Sequence, residues 1–401
     1  MRQLPYFIFF IALSVVFSPA YCQTSQDQKP AFRFEETLTI PATAVKDQNR
    51  TGTCWSFATL SLLESEMLRE KKMVADLSPM FIVYHTYMEK AQRYVRMHGH
   101  NNFDAGGIFH DVTNMIRKYG IVPDEIYRGL NYGEEKHVHG EMDQLLKNQV
   151  EAVVKNQNRK LTPVWQESVE ATLNSYLGEI PETFEYQGVS YTPLSFARDF
   201  VGLNMDDYVE ITSFSHHPYY SRFALEIPDN WSWDEVYNVP LEELEEIMDH
   251  ALTSGFSVAW ASDVSEKGFM SGFKGVALVP DVNLAEMSDA EIRKWEKLDE
   301  SEREDELYKI DGPVHEKKIT GEIRQLAFDN FQTTDDHGMH IIGIARDQEG
   351  NLYYKVKNSW GDYNQWGGHF YASKAYFNYK TTLIMLNRNA IPEHIRLKLG
   401  L

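Results

Sequence analysis

Of the chain's two cysteines, Cys54 sits in the run Gln48-Asn49-Arg50-Thr51-Gly52-Thr53-Cys54-Trp55-Ser56-Phe57-Ala58, and far downstream follow His337-Gly338-Met339 and Asn358-Ser359-Trp360-Gly361. A thiol beside an imidazole is a nucleophile with its own base, and an amide that orients the ring completes the parts needed for acyl transfer. In the first turn of a helix, Cys54 would lie at the positive end of the helix dipole, which favours the thiolate, and a His337 imidazolium would favour it further. Asn358 would fix the tautomer of His337 while Trp360 screens that contact from water. Gln48, six residues before Cys54, would turn its side-chain amide toward a developing oxyanion, together with the Cys54 backbone N–H. Each residue alone has a plainer reading: a buried cysteine is a small hydrophobe, a histidine beside a hairpin is structural, and Asn-Ser-Trp-Gly is a turn. Their joint order, with Gln48 at its spacing, favours catalysis.

The elements that must hold these residues are legible in the pattern around them. Apolar residues recur at three and four positions from Trp55 to Leu68, which predicts a largely buried helix opening at Cys54. Ser78 as N-cap with Pro79 behind it opens a second helix through Ala91, and Ile108 to Tyr119 forms a third that ends at Gly120. Residues 134–177 read as one or two surface helices broken at Pro163, and Leu241 to Ala251 as an acidic helix. Ser288 with Glu291 makes a capping box for a solvated acidic segment that runs to Tyr308. Phe256 to Ala261 alternates as a strand. Ile341 to Ala345 and Leu352 to Lys357 flank a turn at Asp347–Asn351 as a β-hairpin, and pairing Ala345 with Leu352 brings His337 across from Asn358 and Trp360. Phe370 to Ala372 and Thr381 to Leu386 add further strands. The order is α+β, helical in front and antiparallel behind, with a cleft between the halves.

Residues 1–22 read as a signal peptide: Met1-Arg2-Gln3, the apolar run Phe7 to Phe17, then small residues ahead of Cys22. That run is shorter than the roughly 20 residues that span a bilayer. Export to the periplasm or exterior is the expectation, with lipid attachment at Cys22 the alternative. One remaining cysteine allows no internal disulfide, so the rest of the 401 residues, 43% apolar and 13% aromatic overall, must be held by a core. A net charge of −20 excludes a nucleic-acid partner and leaves no polybasic membrane patch. The pairs His98/His100, His137/His139 and His216/His217 lack a thiolate or a zincin motif beside them, so they read as solvated loop histidines, with no metal and no cofactor.

Gln48, Gly52, Cys54-Trp55, Phe57-Ala58, His337, Gly343 and Asn358-Ser359-Trp360-Gly361 resemble the motifs of the papain superfamily. Gly343, six residues after His337, selects that histidine over His340, which strand alternation points to the other face. Two departures mark a branch. Thr51 stands where a disulfide cysteine is expected, and His337 follows Cys54 by about 280 residues where ordinary papains need about 130 to 150. Both are similar to the bleomycin hydrolase and aminopeptidase C branch, as are Leu77-Ser78-Pro79, Gly106-Gly107, Lys118 to Pro123, Thr192 to Phe196 and His217-Pro218-Tyr219.

The resemblance implies a papain-like fold over residues 23–401, with insertions near 134–180 and 284–318, and a thiol peptidase that acts on peptides through an acyl-enzyme. It implies that Gly106 and Gly107 offer a bare backbone edge to an extended substrate, with an ordinary turn the competing reading. It implies hexamers, and a C-terminal carboxylate, here Leu401, that meets the substrate's ammonium and enforces aminopeptidase action. The ending Lys398-Leu399-Gly400-Leu401 is unlike the usual tail, so an endopeptidase is the alternative, and an inactive papain-fold binding protein is a second.

Overall fold

The computed structural model describes residues 32–157 and 160–401, so the expected leader and Cys22 lie outside the described residues. Helices α1 (Cys54–Lys71), α2 (Pro79–Arg96), α3 (Phe109–Tyr119), α4 (Gly140–Val154) and α5 (Val164–Leu177) fill the front of the chain. Thirteen strands among the described residues follow in order: β1 Glu35–Thr39, β2 Phe184–Tyr186, β3 Val189–Tyr191, β4 Tyr208–Thr212, β5 Arg222–Ala224, β6 Glu235–Asn238, β7 Val258–Ser262, β8 Phe269–Met270, β9 Val276–Ala277, β10 His337–Arg346, β11 Leu352–Lys357, β12 His369–Ser373 and β13 Thr381–Asn387. All but the β2–β3 hairpin join one sheet in the order β5-β6-β4-β13-β7-β10-β11-β12-β9-β8, with β1 laid on β10.

Sequence explains most of these boundaries. Ser78 accepts a hydrogen bond from the Phe81 N–H at 3.1 Å, and Pro79 follows at the first helical position, where its missing N–H costs nothing. α1 is buried nearly all round, from Trp55 to Met67, because it runs between the other helices and the sheet. The acidic segment forms two helices instead of one. Asp299 caps a second helix, Glu300–Leu307, through its own reciprocal bonds with Glu302, and so interrupts the run begun at Ser288.

Strand alternation splits the core in two. Ala259 and Ala261 of β7, with Leu383 and Met385 of β13, face α1, while Trp260, Ile384 and Leu386 face the opposite cluster. That second cluster packs under the helices Leu241–Thr253 and Glu393–Leu399.

The hairpin register differs from the sequence expectation by one residue at its turn. Arg346 pairs with Leu352 and Ala345 with Tyr353, and a bulge between Ile341 and Gly343 then shifts the ladder so that His340 pairs with Lys357. The bulge removes one residue of offset, so at the site end the register is the expected one. Beside it, Gly343 has no room for a side chain, since a Cβ would stand 2.3 Å from the Leu38 carbonyl oxygen of β1. Gly343→Ala should therefore push β1 off β10 and cost about 1–3 kcal/mol, the usual range for overpacking. Thermal and urea denaturation measure this, and an unchanged midpoint would show that β1 yields freely.

Candidate active site

Two backbone hydrogen bonds, which together make the bridge between Asp47 and Trp360, bring the site together from segments some three hundred residues apart. The Gln48 N–H donates to the Ser359 carbonyl at 2.8 Å, and the Gly361 N–H donates to the Lys46 carbonyl at 3.0 Å. From the sheet side, Gly338 lets β10 approach α1: a Cβ there would lie 3.3 Å from the Trp55 Cα and 3.1 Å from the Phe109 ring. Cys54, on the first turn of α1, and His337, at the start of β10, consequently line one small cleft.

His337 is buried and its Nε2 lies 2.7 Å from Asn358 Oδ1. An amide oxygen only accepts, so Nε2 carries the proton and the Nδ1 lone pair is left for the thiol. Asn358 is itself held: its Oδ1 also accepts from the Ser359 N–H at 2.8 Å, and its Nδ2 donates to the Tyr363 hydroxyl at 3.2 Å. The Trp360 ring covers the imidazole at 4.8 Å between centroids, with the planes 30° apart. Gln48 is buried, with Oε1 accepting from the Ser359 hydroxyl at 2.5 Å and Nε2 donating to the Thr51 carbonyl at 2.8 Å. Its amide is thus fixed against the turn that leads into Cys54.

The electrostatics depart from the sequence expectation. Burial pushes the Cys54 thiol up to about 12; the Gly338 N–H opposes the rise, while Asp229 and Asp335 add to it. Burial likewise pulls His337 down to about 4 against the Asn358 hydrogen bond and the Asp336 charge. Desolvation is the largest cause of both shifts. Each partner taken alone is neutral near pH 7, a protonated thiol facing a free imidazole lone pair.

The other sequence candidates fall into place differently. His340 reaches Ser61, one full stretch down α1 from Cys54, at 2.8 Å, and does not join the cleft. Gly107 lines the cleft, and a Cβ on it would meet the Trp55 ring at 2.8 Å; one on Gly106 would meet the Asp229 carboxylate at 2.0 Å. The bare backbone is thus required by the chain's own Trp55 and Asp229. Leu401 packs against the cluster on the far face of the sheet, and Lys398 bonds to Glu243 at 2.6 Å. The expected tail carboxylate is therefore not brought to Cys54.

His137 and His139 are not solvated. Burial lowers them to about 4 and about 3, and their backbones hold Arg50 in the loop ahead of Cys54. His98 and His100 are exposed as expected. His216, His217 and Glu226 form the one group among the described residues whose three ligand atoms converge within 4.8 Å. Asp229 and Asp335 escaped the sequence reading altogether, although Asp335-Asp336 directly before His337 was a visible signal.

With this geometry in place, the comparisons are specific. The model of the Peptidase C1-like family matches residues 15–307 and 303–399. The chain belongs to that family and is a cysteine peptidase with a papain-like fold. It is 24% identical to Aminopeptidase G of Lactobacillus delbrueckii subsp. lactis, over 88% of this chain and 84% of the relative. It is 21% identical to Aminopeptidase C of the same organism, over 93% and 85%. The crystal structure of PepW from Lactobacillus rhamnosis HN001 superposes with a TM-score of 0.67 at 20% identity, covering 91% of this chain and 84% of that one.

The two histidines give a direct test of the geometry. His337→Ala should abolish turnover, whereas His340→Ala should leave it within a few-fold and instead lower thermal stability, because Ser61, which also receives Lys357, loses a buried partner. The reverse pattern in kcat would reassign the base. Asn358→Ala should lower kcat by about 10- to 100-fold with little change in KM, since it frees the ring without removing the base.

Proposed function

We propose that this chain is a cysteine aminopeptidase that removes residues from the free N-termini of peptides through a thioester acyl-enzyme. The observation that carries this reading is the His337–Asn358 bond of 2.7 Å on the strand end that faces the first turn of α1. As the thiol attacks the scissile carbonyl, His337 Nδ1 takes its proton and later returns it to the leaving amine. The carbonyl electrons move to oxygen, where the Cys54 N–H and the Gln48 amide stand as donors. Collapse expels the amine and leaves the acyl group on sulfur; water, deprotonated by His337, then releases the carboxylic acid. The aminopeptidase names of the relatives support exopeptidase action. The place of Leu401 across the sheet favours a second reading, a papain-like endopeptidase.

Profiling a peptide library with free and acetylated N-termini separates the two. Stepwise loss of N-terminal residues from the free peptides alone is expected, and internal cleavage of acetylated ones would establish the endopeptidase. Cys54→Ala should fold normally, resist iodoacetamide and lose essentially all hydrolysis. Retained turnover would end the thiol mechanism. Gln48→Ala should lower kcat by about 10- to 1,000-fold, as expected for one oxyanion donor, and a change in KM alone would deny it that role.

A further inference from the structure

An aminopeptidase must hold an ammonium close to its nucleophile, because the α-amino nitrogen of the first residue is only two bonds from the carbonyl carbon under attack. Leu401, the residue expected to supply the opposing charge, lies on the far face of the sheet. The cleft nevertheless contains negative groups of its own. Asp229 and Asp335 line it beside Cys54 and His337.

Both acids stand on built structure. Asp229 belongs to the segment after β5, which is pinned to the loop before α3. The Pro228 carbonyl accepts from Asn102 Nδ2 at 2.9 Å, and the Trp231 indole N–H donates to Asp111 at 2.9 Å. Gly106 presents no side chain to Asp229, and buried Lys90 holds that stretch by donating to the Asp104 carbonyl at 2.7 Å and to the Gly106 carbonyl. The Asp229 carboxylate therefore rests against bare backbone. Asp335 precedes the base by two residues.

Neighbouring Asp336 is satisfied by the N–H groups of Val264 and Ser265 at 3.2 and 3.0 Å and by the Thr334 hydroxyl at 2.9 Å. Asp335 is met less fully: the Asp229 backbone N–H bonds to its carboxylate, but its Oδ2 is buried without a hydrogen-bond partner. A buried carboxylate oxygen without a partner is costly, and since Asp335 lines the reactive cleft, a donor arriving there would relieve that cost.

We propose that Asp229 and Asp335 are the receptor for the substrate's N-terminal ammonium, taking the part expected of the chain's C-terminal carboxylate. An ammonium has three N–H donors, enough to engage both carboxylates and still reach a backbone carbonyl. The charges match as well. Burial raises Asp229 to about 6 against the opposing charge of Lys90, with Asp111, Asp104 and Asp336 adding to the rise, and raises Asp335 well above the usual carboxylate range with Asp229 and Asp336 adding to it; an ammonium arriving beside them favours the charged form of both. The arrangement also acts on the nucleophile. Both acids raise the Cys54 thiol, and a cation seated between them would cancel that effect at the moment a substrate is bound.

The proposal rests on the aminopeptidase reading, and the test keeps the two apart. Purified wild-type enzyme, Asp229→Asn and Asp335→Asn are each assayed on alanyl-coumarylamide and its N-acetyl derivative. A third and fourth substrate are the N-acetylated lysyl and norleucyl coumarylamides. The readout is the ratio of kcat/KM for the free to the acetylated alanyl substrate, which does not depend on how much of a variant is correctly folded. In wild type this ratio should be at least about 100, and in each variant it should fall by about 10- to 100-fold, chiefly through KM, as expected for a lost charge-assisted contact.

If wild type strongly prefers the free amine and both variants keep that preference, the acid pair is not the receptor although the aminopeptidase reading stands. Equal cleavage of free and acetylated substrates by wild type would remove the aminopeptidase reading and this proposal with it. Should the variants instead lose a preference for acetyl-lysyl over acetyl-norleucyl, the pair reads a side-chain ammonium and the assignment to the N-terminus is wrong.

Discussion

Helix α1 lies against β10 so closely that a Cβ on Gly338 would stand 3.3 Å from the Trp55 Cα, a tight contact, and everything proposed for the site depends on that approach. Rotation of the helix by a fraction of a turn would carry Cys54 away from His337, so the contact must be fixed along its length. A buried polar network does this behind the cleft. Glu64 of α1 accepts from Thr43, from Lys46 at 3.1 Å and from the Leu77 N–H at 2.9 Å. One turn nearer Cys54, Ser61 receives Lys357 at 2.7 Å and meets His340 at 2.8 Å. These bonds reach from α1 to β10, to β11 and to the strand-like segment ahead of Cys54. They are directional where apolar packing is not, and a buried network of this kind specifies one helix rotation. The cost is visible at Lys357, which burial pushes down to about 8 even with Glu64 nearby.

The same desolvation governs the reacting groups. It holds the thiol protonated and the imidazole neutral, which is the ground state a base needs if it is to accept a proton during attack. Asn358 matters in that state because a neutral imidazole has two tautomers and only one leaves Nδ1 free. The 2.7 Å bond to its Oδ1, itself locked by the Ser359 N–H and Tyr363, selects that tautomer by geometry. Ser359 links this selection to Gln48 through its hydroxyl, so the ring anchor and the proposed oxyanion donor share one support.

Local signals carried much of this arrangement. The apolar period of α1, the Ser78-Pro79 cap and the Gly-containing hairpin turn are short-range features, and each formed where its residues placed it. The hairpin register missed by one residue at the turn because a bulge between Ile341 and Gly343 adds a residue that no alternation pattern within the hairpin encodes. The edge strand β5 and its neighbour β6 are three and four residues long, too short for alternation to register. His137 and His139 looked like solvated loop residues because their segment is polar; their burial comes from seating the loop before Cys54, a contact across almost ninety positions. Asp229 was hidden for the same reason, since the groups it meets at the site, Cys54, Gly106 and Asp335 among them, lie more than a hundred positions away.

Placing two carboxylates beside a nucleophilic thiol works against the thiolate, so the fold accepts an electrostatic penalty at the position where it is most harmful. Strand alternation explains why the charge sits there and not on the chain terminus. Ala261 and Leu383 belong to the α1 face, Trp260 and Ile384 to the other, and the helix Glu393–Leu399 is committed to the second by Ile395 and Leu399. A terminal carboxylate could reach Cys54 only by stripping those side chains from their cluster, and burying two large aliphatic side chains is worth about 1.5–3 kcal/mol each. A single charge-assisted contact to an ammonium returns about as much as one of them. The balance favours leaving the terminal helix docked and supplying the negative charge from loops already on the α1 face, where Asp229 and Asp335 stand.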